Sequence, residues 1–121
     1  MSMKSEIEKV ERGFWEHGQD ATYYKENTDE NFVGVFAEMG YVDQASAVKM
    51  TKKSDGWSDL KMTDTRWIEL GSDSAAIVYK ATAKMGDKKE PYSATITSVY
   101  VKKNGGWKLA LHEHLPEQTT H

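Results

Sequence analysis

The sequence predicts an α+β domain, and two observations carry that prediction. Up to about Lys53 the apolar residues recur mostly at helical spacing. From Trp57 onward they alternate with polar residues in long runs broken by short turns that contain glycine. Helices first and a meander afterwards describe an antiparallel sheet with helices gathered on one face. At 121 residues, 1–121 is the length of one ordinary domain, enough for a real core and too short for two.

Met3, Ile7, Val10 and Phe14 form the first stripe, which buries one side of a helix. Ser5 followed by Glu8 fits a capping box, and a start one turn earlier is also open. Gly18 ends this helix, and Asp20 is placed to cap a short second one through Ala21 to Tyr24. "NFVGVFAEMGYV", residues 31 to 42, changes to period two. Phe32, Gly34, Phe36, Glu38, Gly40 and Val42 face one way, with Val33, Val35, Ala37, Met39 and Tyr41 opposite. Its glycines weaken a strand interior, so it reads as a bent strand or as a hairpin around Glu38-Met39-Gly40. Asp43 reads as the N-cap of a third helix, "QASAVKMTKK", closed by the Ser54-Asp55-Gly56 turn.

The strands that follow are "WSDLKMTDTRWIEL", "SAAIVYKATAKM" and "PYSATITSVYVKK". Simple alternation in the first puts Leu60, Met62, Asp64, Arg66, Ile68 and Leu70 together, an apolar row interrupted by a carboxylate and a guanidinium. In the second, Ala75, Ile77, Tyr79, Ala81 and Ala83 make the apolar face; the third is mixed on both sides. The last strand lies in "WKLALHEHLPE", residues 107 to 117. Trp107, Leu109 and Leu111 share one face, and then His112 and His114 stand where patterning asks for Val or Thr. One of these imidazoles is expected to face a cavity.

Composition narrows the function classes. Hydrophobic residues make up 38% and charged ones 29%, a globular balance, with a formal net charge of −3. Lys52-Lys53, Lys88-Lys89 and Lys102-Lys103 fall beside turn signals and read as solvated, so no basic face for nucleic acid forms. The absence of cysteine excludes disulfides, thiolate chemistry and sulfur-ligated metal. No run of ~18 apolar residues exists, and "MSMKSEIEKVERGFW" has no signal-peptide core, so no membrane partner and a cytoplasmic location are expected.

The helix-facing side must hold polar groups: Asp64 or Arg66, Tyr79, Thr97, Glu38 and one or both histidines. A buried charge without a partner costs roughly several kcal/mol, so these must pair with each other, with water or with a ligand. Convergent polar groups in an apolar hollow mark a small-molecule site, bordered here by Trp15, Tyr24 and Phe36. Asp64 and Arg66 are either an ion pair at the sheet margin or, if they lie deep, the place of the best candidate base, Asp64. Glu38 is either a hairpin residue in water or a pocket carboxylate. His112 suits hydrogen bonding inside the pocket or acid–base work. His112 and His114 point the same way, but Glu113 faces oppositely and a metal usually needs three protein ligands, so neither metal nor cofactor is expected. His17 and His121 read as surface or terminal residues. No nucleophile elbow and no phosphate loop are present. Val99, Val101, Tyr100 and Trp67 leave apolar or aromatic surface on both sides of the sheet; helices cover only one, which predicts a homodimer through the other.

"ERGFW", "FVGVF", "WSDLKMTDTRWIEL", "SAAIVYKATA" and "PYSATITSVYVKKNGGWKLALHEHLPE" resemble, in order, segments of the nuclear transport factor 2-like superfamily, in its SnoaL-like branch. The likeness spans residues 6 to 117 and is most specific at Ser98 to Val101, Gly106-Trp107, Leu109 to His112 and Pro116, with Met62 to Asp64 and Tyr79 also fitting. The resemblance implies a cone, in which helices close one end of a strongly curved sheet over a pocket, and dimers through the outer sheet face. His112 matches the branch; His114 stands where it often has Gln. Catalytic members of the superfamily include ketosteroid isomerases, polyketide cyclases and scytalone dehydratase. The isomerases carry a base Asp near the end of the first strand, where this sequence reads Val35-Phe36-Ala37 with Glu38 beyond, a departure from that chemistry. The expected function is binding of a small, partly apolar molecule. The alternatives are acid–base isomerisation, dehydration or cyclisation, with Asp64 or Glu38 as base and His112 or Tyr79 as donor, or an assembly role for the outer sheet face.

Overall fold

The structure of the protein, a computed structural model, describes residues 2–117; His121 lies outside them. Helix α1 spans Met3–Glu16, and the Ser2 hydroxyl caps it by accepting from the Ser5 amide at 3.2 Å. The helix therefore starts one turn ahead of Ser5. Its inner face buries Ile7, Glu11, Phe14 and Trp15. Asp20 accepts from the amides of Thr22 and Tyr23 and so begins α2, Ala21–Asn27. Gly13 explains how closely the two helices approach. A Cβ there would lie 1.7 Å from the Tyr23 hydroxyl, which donates to the Val10 carbonyl at 2.9 Å.

Strand β1, Thr28–Phe36, turns into β2, Gly40–Asp43, so the hairpin reading of this segment holds. Gly40 enters β2 at φ +72, the left-handed region that favours glycine. Asp43 accepts from the Ser46 amide at 2.9 Å and caps α3, Gln44–Met50, which tightens into a 3-10 turn at Thr51–Lys53. The long strands follow as β3, Trp57–Gly71; β4, Ser74–Met85; β5, Tyr92–Lys103; and β6, Gly106–Pro116. They form one sheet in the order β2-β1-β6-β5-β4-β3, antiparallel except where β6 runs parallel to β1. The last strand thus closes in the middle of the sheet, between the first strand and the meander. Lys103 also leaves its solvated-turn role: its ammonium pairs at 2.6 Å with the buried carboxylate of Asp29 on β1, and this partner holds Asp29 below its ordinary range.

Bulges decide which side chains reach the core. In β3 the residues opposite β4 advance by three where β4 advances by two, once around Asp59 and once around Asp64. Both aspartates take left-handed backbone, φ 54 and φ 53. Each extra residue reverses the alternation. Met62 pairs with Ala81 and Trp67 with Ile77, so both face the helices, while Arg66 pairs with Val78 and faces outward. The expected single row from Leu60 to Leu70 does not form, and Ile68 and Leu70 are exposed. In β6 the extra residue is Ala110: Leu109 pairs with Tyr100 and Leu111 with Val99. Leu111 turns outward, and His112 and His114 take the inner side after Trp107 and Leu109, opposite Ser98 and Ile96.

Candidate functional site

A cavity of about 620 Å³ lies between the helices and the inner face of the sheet. Phe14 and Trp15 of α1, Phe32 and Phe36 of β1, Ala47 and Met50 of α3, Trp57, Met85 and Tyr92 form most of its wall, with His112 and His114 from β6. Its exposed margin carries Glu38, Lys53 and Lys88. His114 sits among aromatic rings. The Trp15 ring stacks on it at 5.4 Å, Tyr92 at 5.8 Å, and Phe36 tilts against it at 5.3 Å. A hollow of about 650 Å³ beside the end of α1, among Glu16, Gln19, Asp55 and Asp87, is more open and contains neither of these histidines.

Behind the wall lies a carboxylate that sequence reasoning passes over. Glu11 is fully buried. Tyr100 donates to its Oε1 at 2.7 Å, Ser98 donates to its Oε2 at 2.9 Å, and Tyr79 donates to the same oxygen. Trp15 Nε1–H in turn donates to the Tyr79 hydroxyl at 2.9 Å. The Ser98 oxygen meets His112 Nδ1 at 2.8 Å, His112 Nε2 meets His114 Nε2 at 2.8 Å, and His114 Nδ1 meets the Tyr92 hydroxyl at 3.0 Å. Within the described residues no buried side-chain polar atom lacks a partner. The network runs from the core to the cavity wall without a break.

Burial sets the charge of each member. It raises the Glu11 carboxyl above the usual 4.5, opposed by the hydrogen bonds from Tyr79, Tyr100 and Ser98. It lowers His112 to about 4, and it lowers His114 as well, helped by the neighbouring His112. It also raises the Tyr79 and Tyr100 phenols, with Glu11 adding to the effect. At neutral pH both imidazoles are therefore neutral.

The expected site residues divide into three groups. Trp15, Tyr24, Phe36, Glu38, His112 and His114 line the cavity, so both histidines face it. Tyr79 is buried behind the wall, bonded to Glu11 and Trp15. Asp64, Arg66 and Thr97 are elsewhere, and these expectations are corrected. Asp64 and Arg66 form an exposed ion pair at 2.8 Å, turned out by the bulge. Thr97 pairs with Val78 and Glu113 on the outer face, because Ile96 and Ser98 take the inner positions. Asp64 is thus out of reach of any chemistry in the cavity. Ser98, Tyr100, Tyr92 and Glu11 are the members not singled out in the sequence. A signal for Glu11 was present, since it stands four residues after Ile7 and three before Phe14, on the buried stripe. Among the described residues no three His, Cys, Asp or Glu side chains group as metal ligands.

A curved six-stranded sheet with helices closing a cavity on its concave side is the nuclear transport factor 2-like fold, and comparison with solved structures places the chain there. A nuclear transport factor 2-like protein of unknown function from Prochlorococcus aligns over 99% of this chain and 97% of its own, at 20% identity and a TM-score of 0.80. One from Rhodospirillum rubrum, described as of unknown function in nutrient uptake, aligns over 97% and 100%, at 16% identity and a TM-score of 0.81. A Nostoc punctiforme protein of unknown function with a cystatin-like fold aligns over 96% and 92%, at 17% identity and 0.77. Likeness at these identities is likeness of fold. No family profile and no curated protein matches the sequence.

Proposed function

We propose that the protein binds a small, partly apolar molecule in the cavity, and that it does so as a homodimer. The observation that carries the binding reading is the wall: about 620 Å³ bounded by aromatic and methionine side chains, with two neutral imidazoles on one side and charged groups only at the margin. Neutral aromatic ligands of naphthalene size should quench Trp15 and Trp57 emission saturably, and Ala47→Phe, which fills the cavity, should abolish the effect. The reading fails if a panel of such ligands gives no saturation with the unaltered chain.

The outer sheet face supports the dimer. Val33, Leu111, Val99, Ala76 and Ile68 lie in register across five strands and form an apolar row on the side away from the helices. A second copy of this chain would cover that row. Sedimentation should give a dimer that Val99→Asp converts to monomer; a monomeric parent chain rules the dimer out. Acid–base catalysis in a SnoaL-like manner is the second reading, favoured by the link between His112 and Glu11 through Ser98. Its base is not Asp64. Assay of Glu38→Gln and Ser98→Ala on any ligand that turns over would distinguish the remaining carboxylates.

A further inference from the structure

With Glu11 ionised, valence fixes the direction of the hydrogen bonds between cavity and core. Trp15 Nε1–H only donates, so the Tyr79 oxygen accepts from it and the Tyr79 proton goes to Glu11. Ser98 has one proton; given to Glu11, it leaves the Ser98 oxygen to accept from His112 Nδ1–H. His112 Nε2 is then an acceptor and takes the Nε2–H of His114. His114 Nδ1 is an acceptor too, and takes the Tyr92 O–H. Every proton in this row points from the cavity toward Glu11.

One proton added at the cavity end reverses the row. Glu11 becomes a carboxylic acid that donates to Ser98, Ser98 donates to His112 Nδ1, His112 Nε2–H donates to His114, and His114 Nδ1–H donates to the Tyr92 oxygen. The Tyr92 O–H is then free to turn into the cavity. Both imidazoles are neutral before and after, having only exchanged tautomers. The groups facing Glu11 are Tyr79 on β4, Ser98 and Tyr100 on β5, His112 on β6 and, further off, Tyr23 and Tyr24 on α2. Among the described residues no lysine or arginine pairs with it. A buried carboxylate held only by hydroxyl donors has a protonated state close at hand.

We propose that Tyr92, His114, His112, Ser98 and Glu11 form a proton relay, and that the cavity takes a weak oxygen acid, a phenol or enol, whose O–H lies against the Tyr92 hydroxyl. This rests on the cavity being a binding site. The ligand O–H bond breaks as Tyr92 receives its proton and passes its own to His114, and the last transfer leaves Glu11 protonated. Atoms and charge balance: the negative charge leaves the core and appears on the ligand oxygen, which accepts from the Tyr92 O–H. No oxidant or second substrate is required.

The test uses the full chain and para-nitrophenol, whose anion is coloured, below the probe's own pKa. The expected result is saturable tryptophan quenching together with nitrophenolate absorbance of the bound probe. Ser98→Ala should keep the quenching and return the absorbance to that of the neutral phenol. Bound probe with a neutral spectrum in the unaltered chain overturns the relay and leaves the cavity reading intact. Absence of quenching by this probe overturns the ligand class, and absence across the neutral aromatic panel overturns the cavity reading itself. Nitrogen NMR of the ligand-free protein examines the row directly: His112 should carry its proton on Nδ1 and His114 on Nε2, and both should exchange together as Glu11 is titrated. Tautomers that stay fixed, or an imidazolium that forms first, overturn the relay without reference to any ligand.

Discussion

Strands β3 and β6 pose the same problem and solve it in opposite ways. Each interrupts an apolar alternation with ionisable residues, Asp64 and Arg66 in one and His112 and His114 in the other, and each contains a bulge just beforehand or at that point. In β3 the extra residue is Asp64 itself, and it turns Arg66 to water. In β6 the extra residue is Ala110, and it turns the histidines to the core. The difference follows from position in the sheet. β3 is an edge strand with one neighbour, where a charged pair in solvent needs no other partner; β6 has β1 on one side and β5 on the other. Polar groups turned inward from β6 meet Ser98 and, through it, Glu11. Where a strand lies decides whether its polar residues are surface or site.

Exchanging each histidine with the residue before it, by Leu111→His, His112→Leu, Glu113→His and His114→Glu together, is the most severe way to break the contrast. It would send both imidazoles outward and bring a leucine and a carboxylate inward. The new carboxylate would lie among the rings of Trp15, Phe36 and Tyr92, and Ser98 would lose His112 as a partner. The expected outcome is loss of cooperative unfolding in urea, read by near-ultraviolet circular dichroism. A variant that unfolds cooperatively at the parent midpoint would show that the inward placement of the imidazoles does not hold the inner face together.

Glu11→Ala ranks next. It leaves the hydroxyls of Tyr79, Tyr100 and Ser98 without their acceptor in a fully buried place and opens a void beside them. Unmet buried polar groups and a cavity together should lower stability by about 3–5 kcal/mol, measured from urea denaturation. A loss below about 1 kcal/mol would mean that water replaces the carboxylate readily.

Acid sharpens the comparison at the level of charge, since it acts on the buried imidazoles of β6. His112 has a folded value of about 4 against 6.5, so its contribution is complete above pH 6.5 and is lost as pH falls toward 4. His114 is lowered also and acts in the same direction. Glu11, raised above 4.5, works oppositely: its contribution is full below 4.5 and is lost as pH rises through the folded value. The histidines outnumber it, so the melting temperature should fall between pH 6.5 and 4, with His112 alone accounting for about 3 kcal/mol. Glu11→Gln removes the opposing contribution and should make the fall steeper. A flat profile would place the imidazoles in water.

Much of this arrangement was legible beforehand because it depends on local pattern. The stripe of α1, the caps at Asp20 and Asp43 and the glycine-marked turns between long strands all follow from short-range stereochemistry. The histidines on β6 stood out because imidazole is unusual in an apolar alternation. What alternation cannot carry is a change of parity. Asp59, Asp64 and Ala110 each insert one residue without a glycine or proline to mark it, so faces assigned by counting reverse beyond them. Simple counting misplaces Asp64, Arg66 and Leu111 for that reason, while Thr97 lies on the outer face by its own strand's parity. Glu11 is a different case. Its place on the stripe was visible, but its meaning depends on Ser98 and Tyr100 almost ninety residues later, and only the closed sheet brings them together.

The smallest expected effect belongs to β3. Arg66 bonds Asp64 at 2.8 Å, a good distance, yet their side chains are 70% and 52% exposed, so water and salt compete for both charges. Ordering a long guanidinium side chain costs entropy that offsets much of the attraction. The bulge does not need the pair, because its geometry resides in the left-handed backbone of Asp64 and in the β4 ladder on either side. Arg66→Ala should therefore change unfolding free energy by less than about 0.5 kcal/mol and leave cavity binding unaltered. A larger loss, growing at low salt, would mean that the ion pair fixes the β3 parity and hence the inward placement of Trp67. Short distance would then matter more than exposure, and the contrast between edge and centre would no longer explain why only one of the two polar pairs became part of a site.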